Sequence, residues 1–207
     1  MKLKSTKAAG SFDLQSYGSL ELITHMEADP LAHSFASFDF HSILPARKAD
    51  VLHGMPAYLL RHQAGVFVIA VKAQDFATSR YLRECWLEAD RILASRNIWL
   101  FSTTSAALQS EPFWSNAQQI ARCANAEVDA LDEATVVSFL CDVGRAPLIE
   151  CARRCEASPD SCDAALKLVS AGVLHYDASE PLSFCSQVRL QPYAPTFTIP
   201  WMQPHAI

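Results

Sequence analysis

The spacing of hydrophobic positions changes along the chain, and each change marks a predicted element. Between residues 17 and 28, Leu20, Leu22, Ile23 and Met26 recur at helical spacing. Asp29-Pro30 closes that segment, because the residue before a proline avoids helical angles. Residues 34–43 alternate instead, with Phe38 and Phe40 on one side and Asp39 and His41 on the other, which predicts a half-buried strand. Residues 57–61 and 66–72 predict two adjacent strands joined through His62-Gln63-Ala64-Gly65. The run Val66-Phe67-Val68-Ile69-Ala70-Val71 is apolar on both faces, as a central strand covered on each side requires. The helical period returns over 78–95, with Tyr81, Leu82, Cys85 and Leu93 on the inner stripe, and Ile98-Trp99-Leu100-Phe101 is the next strand. The pattern therefore predicts helix, three strands, helix, strand.

Composition shifts near residues 127–132, and three short helical patterns follow at 133–141, 146–154 and 159–171. Residues 173–176 and 184–190, separated by a turn through 177–181, predict a β-hairpin. Three helices and a hairpin predict a winged helix-turn-helix. This divides the chain into residues 1–131, 132–190 and an extended tail, 191–207, whose four prolines and three aromatics include Tyr193, Phe197 and Trp201. The stiff tail is expected either to pack on its own domain or to insert into a partner.

Charge and cysteine content narrow the function classes. A formal charge of -5 argues against a protein that coats nucleic acid unaided, since nonspecific affinity comes mostly from Lys and Arg displacing phosphate counterions. Any DNA contact must be local or shared with partners. Lys2, Lys4 and Lys7 make a small basic arm or a frayed terminus. The seven cysteines lack the paired spacing of a disulfide framework or zinc ribbon, so Cys151 and Cys155, four apart, are read as buried thiols. Without a membrane-length apolar run or an amino-terminal signal pattern, the expectation is a soluble, cytoplasmic protein.

Four segments carry a family resemblance: Gly18-Ser19-Leu20-Glu21 followed by Ala28-Asp29-Pro30 and Phe35, then Met55-Pro56-Ala57-Tyr58-Leu59, then Val68-Ile69-Ala70-Val71-Lys72, and finally 174–190 with Asp177-Ala178-Ser179-Glu180-Pro181-Leu182 as a wing. In this order the chain resembles TnsA, the endonuclease subunit of heteromeric bacterial transposases. The resemblance implies an α/β fold, a restriction-endonuclease-like mixed sheet of the PD-(D/E)xK type flanked by helices, followed by the winged helix. It implies cleavage at the 5′ ends of a mobile element in cut-and-paste transposition, on transposon-end DNA. It also implies an integrase-type transposase subunit and an AAA+ ATPase regulator as partners. A DNA-end-binding assembly factor without cleavage, and more distantly a winged-helix transcription regulator, are the alternative readings.

Phosphodiester hydrolysis with Mg²⁺ or Mn²⁺ needs clustered carboxylates, an in-line water and a cation to steady charge on phosphorus. In the family, positions 57 and 70 hold the metal-binding acids, Lys72 orients water or stabilises charge, and Glu21 reaches in from the first helix. Residues 70 and 72 share one strand face. In this chain positions 57 and 70 are Ala57 and Ala70, whose methyl groups cannot ligate a cation. Glu21 and Lys72 are then expected to pair with each other, with little or no cleavage activity. Retention of Pro56, Tyr58, Val71 and Lys72 around the alanines fits deliberate truncation better than drift; natural loss in a lineage that keeps the protein for assembly is the other origin, and a small residue that lets a helix approach the sheet is the packing alternative. In the second domain, Lys167 is the one base on the third helix, which favours protein docking there. Arg145, Arg153 and Arg154 are candidate DNA-backbone contacts, and Trp201 a candidate partner contact.

Overall fold

The computed structural model describes residues 5–8, 17–72 and 79–191. The expected basic arm in part, and the tail with Tyr193, Phe197 and Trp201, lie outside the described residues. The chain divides into two compact units, the first built around residues 32–109 with 17–26, the second around 110–191 with 27–31. The composition shift at 127–132 falls inside the second.

In the first unit, helix α1 (Tyr17–Ala28) precedes strands β1 (Ala32–Ser37), β2 (Ala57–His62) and β3 (Gly65–Val71), helix α3 (Arg80–Ala94) and strand β4 (Ile98–Thr103). Helix α2 (Ala46–Leu52) lies between β1 and β2, and α4 (Ser105–Leu108) follows β4. The sheet order is β1-β2-β3-β4, antiparallel at the first two pairings and parallel at β3–β4. The result is an α/β unit with a mixed four-stranded sheet flanked by helices.

Alternation along the strands sorts the core into two layers. Leu22, Ile23 and Met26 of α1 cluster with Tyr58, Leu60, Phe67, Ile69 and Val71. Ala57, Val68 and Ala70 cluster instead with Ala49 and Leu52 of α2 and with Cys85, Trp86, Ala89 and Leu93 of α3. A Cβ at Gly18 would stand 2.6 Å from Val71 Cγ1, so the glycine lets α1 settle directly on the sheet. Gly65, at φ +141°, closes the β2–β3 turn in a conformation other residues avoid. Ser79 caps α3 by accepting from Leu82 N–H, and Lys48 on α2 pairs with Glu88 on α3.

Two expectations need correction here. The strand predicted over 34–43 ends at Ser37, and Phe40–Ser42 form a 3₁₀ turn with Asp39 as its cap. The Asp39 carboxylate accepts from His41 N–H, and this local bond competes with continued pairing. Tyr81, placed on the inner stripe of the helix, is 49% exposed, because Cys85, Trp86, Ala89 and Leu93 set the buried line one residue round. Helix α2, with buried Ala49 and Leu52, was not anticipated.

The second unit contains α5 (Phe113–Arg122), α6 (Ala130–Val143), β5 (Ala146–Pro147), α7 (Leu148–Ala152), α8 (Ser161–Ser170), β6 (Leu174–Tyr176) and β7 (Gln187–Leu190). Its small sheet runs β5-β7-β6, both pairings antiparallel. Buried Val136, Leu140, Leu148, Leu168, Val169, Leu174 and Val188 share its core. Asp160 caps α8, accepting from Cys162 and Asp163 N–H. The buried Asp132 carboxylate accepts from the Ser158 N–H at 2.7 Å and the Ala157 N–H at 3.1 Å, pinning the loop before α8 to α6.

Candidate functional site

Strand pairing sets Ala57 directly opposite Ala70, so the two methyls occupy neighbouring places on one sheet face. They are 5% and 0% exposed, within the apolar layer that α2 and α3 cover. Lys72 follows β3; its N–H donates to the Thr103 carbonyl at 2.7 Å, and its Nζ stands 5.7 Å from the Trp86 ring centroid. Partial burial pushes the Lys72 ammonium below its ordinary pKa. Trp86 thus faces the cation where the resemblance expects a carboxylate site.

Glu21 is engaged elsewhere. Its helix packs on the other layer of the sheet, and its own carboxylate, 3% exposed, accepts from the Ser105 hydroxyl on α4 and the Gln109 side-chain amide just beyond it. The ion pair expected between Glu21 and Lys72 is not formed: satisfying a buried carboxylate with two nearby donors removes the need for a distant cation. The Mg²⁺ or Mn²⁺ that the resemblance implies does not fit these residues. Positions 57 and 70 offer no oxygen, and Glu21 is committed to Ser105 and Gln109.

Beside this face lies a cleft of about 220 Å³ lined by Ser37, Phe38, Asp39, His53, Pro56 and Ala57 among others. The Phe38 N–H donates to the Ala57 carbonyl at 2.8 Å, which holds the 3₁₀ turn against the start of β2. On that turn His41 lies between two carboxylates: Nδ1 is 2.9 Å from Asp39 Oδ1 and Nε2 is 3.0 Å from Asp50 Oδ1 on α2. The hydrogen bond to Asp39, then that to Asp50, raises the His41 pKa. The Asp39 pKa is lowered, first by the His41 backbone N–H and then by the imidazole. His53, at the carboxyl end of α2, meets the His41 ring edge to face with centroids 5.4 Å apart. One ligand atom each from Asp39, His41 and His53 lies within 4.8 Å of the others, all three residues exposed. Sequence reading assigned Asp39 and His41 to the polar side of a strand and passed over His53. The available signal was Asp-x-His with a second His beyond a short helical segment.

In the second unit, both Arg153 and Arg154 pair with Glu150, at 2.6 and 3.2 Å, and the Arg154 guanidinium carbon sits 3.4 Å from the Phe139 ring centroid. Lys167 donates to the Ala124 carbonyl. Arg145 is exposed. All seven cysteines are free; Cys85, Cys123, Cys151 and Cys155 are buried. Burial pushes the Cys151 and Cys155 thiols up to about 11, as inert core sulfurs.

No family profile matches the chain, and no curated protein matches it. Among the described residues no helix is long and apolar enough to cross a membrane.

Proposed function

We propose that this chain is a noncatalytic subunit of a transposase, similar to TnsA in scaffold, that helps hold transposon-end DNA and its partner proteins without cutting. The observation that carries the reading is Ala57 lying opposite Ala70, with the Lys72 ammonium 5.7 Å from the Trp86 ring that belongs to the same layer; the resemblance assigns the two alanine positions to the nuclease acids. The unit around them has the helix, antiparallel meander, crossover helix and parallel strand that such a nuclease needs. In this reading the part of the second unit from α6 to β7 is a winged helix, with α8 as its third helix after α6 and α7 and the β6–β7 hairpin as its wing.

The surface chemistry of α8 favours protein over a DNA groove. Lys167 is tied to a backbone carbonyl, and the helix begins with Asp160 and Asp163. Arg153 and Arg154 keep exposed edges but share Glu150, so they add little net charge for phosphate. Partners of the proposed type are an integrase-like transposase subunit and an AAA+ ATPase.

The test begins with the genes beside this chain's own, where an integrase-type transposase and an ATPase are expected; those two proteins are then combined with a supercoiled plasmid carrying the element's ends and Mg²⁺ or Mn²⁺. Assembly of the end complex is expected to weaken when the chain is left out, with no 5′ nick attributable to it. Nicking that requires the chain refutes the noncatalytic role; assembly indifferent to the chain refutes the assembly role.

A further inference from the structure

The geometry points to a divalent transition-metal site, of zinc type, formed by Asp39, His41 and His53 at the mouth of the cleft beside β2. It does not rest on the transposase reading and shares no residue with the Glu21, Ala57, Ala70 and Lys72 set.

Three donors of the right kind converge. Two imidazoles and a carboxylate are ligands that zinc and its first-row neighbours accept, whereas Mg²⁺ prefers oxygen alone. Their ligand atoms lie within 4.8 Å of one another. Donors around a tetrahedral ion with bonds of about 2.0–2.1 Å stand roughly 3.3 Å apart, so modest rotation of exposed side chains completes the set. The Asp39 to His41 contact is already 2.9 Å. An imidazole nitrogen meets a carboxylate oxygen at that distance with a proton between them, which a bound cation would displace as the two donors move slightly apart.

Neighbouring structure orients the donors. Asp39 is fixed as the cap of the 3₁₀ turn through the His41 N–H, so ligands two residues apart are held by one backbone bond. Asp50, one turn before His53 on α2, accepts from His41 Nε2 and thereby leaves Nδ1 as the coordinating nitrogen. A carboxylate behind a metal-binding histidine is the usual positioning arrangement. Asp39 and His53 also line the cleft, so two of the three donors border a space that can admit a further ligand. An open place on zinc takes water or an anionic oxygen of a bound molecule.

The experiment uses the full chain, stripped with chelator and kept reduced. Zn²⁺ binding is followed by competition with a chromophoric chelator, and Co²⁺ is used for its spectrum. One ion per chain is expected at micromolar or tighter affinity, weakened at least about tenfold in His41→Ala and His53→Ala and about tenfold in Asp50→Asn. His53→Gln replaces the alanine variant if that one loses its far-UV spectrum. The triple change Cys141→Ser, Cys162→Ser, Cys185→Ser is expected to leave binding unaltered, and bound Co²⁺ to show no thiolate charge-transfer band. No binding at about 100 µM Zn²⁺, equal affinity in the histidine variants, or loss in the cysteine variant overturns the site.

Discussion

Returning a carboxylate to position 70 is the sharpest probe of the sheet face. Ala70 is fully buried in a layer with Val68, Cys85, Trp86 and Ala89. An Ala70→Glu side chain adds volume to a packed interior, which costs about 1–3 kcal/mol. Ionised, it also pays desolvation: full burial raises a carboxylate pKa by as much as ~3–5 units, worth about 4–7 kcal/mol at ~1.4 kcal/mol per unit. Lys72 on the same face offsets part of that, so the expected loss at pH 8 is at least about 4 kcal/mol, against a total stability of roughly 5–15. Because the folded-state pKa is raised, the electrostatic part is absent below the unfolded value near ~4.3 and grows as pH rises toward the folded pKa. Urea denaturation followed by circular dichroism, at pH 4.5 and pH 8, is the assay. Ala70→Met should lose stability equally at both. An Ala70→Glu protein within about 1 kcal/mol of the parent at pH 8, with no pH dependence, would show a pocket ready for a carboxylate and refute the closure of this face by packing.

Glu21→Ala leaves the Ser105 hydroxyl and the Gln109 amide without their acceptor, for an expected loss of about 1–3 kcal/mol in urea denaturation, with no change in Zn²⁺ affinity. A chromogenic disulfide reagent should titrate Cys141, Cys162 and Cys185 rapidly in the native protein, and Cys85, Cys123, Cys151 and Cys155 only after denaturant. Asp132 has its pKa lowered, first by the Ser158 hydrogen bond. A depressed folded-state value means that the stabilisation is present above pH ~4 and lost as pH falls through the folded pKa; Asp132→Asn should therefore flatten the acid limb of a thermal-denaturation profile.

The order of α1, the first three strands, α3 and β4 was legible because it is written in local periodicity, whereas the short helices α2 and α4 were not. Leu22, Ile23 and Met26 repeat as a helix face does, and Val66 to Val71 is apolar throughout because β3 lies between β2 and β4. The common side of residues 70 and 72 follows from the two-residue period of a strand alone. The end of β1 at Ser37 was not legible. Asp39 and His41 continue the alternation on paper, and the bond that breaks it is a side-chain cap that no periodicity encodes.

What the sequence by itself determined is which residues can be helix, strand and core, and that positions 57 and 70 carry no metal ligand. Tertiary structure alone decided where the remaining polar groups went. Glu21 turned to Ser105 and Gln109, residues more than eighty positions away, because a buried carboxylate takes whatever donors the folded chain brings beside it. His53 came next to Asp39 and His41 because α2 folds back against the turn that Phe38 ties to Ala57. Such convergence depends on the path of the chain between elements, and that path is set by packing and long-range hydrogen bonds rather than by the spacing of residues along it.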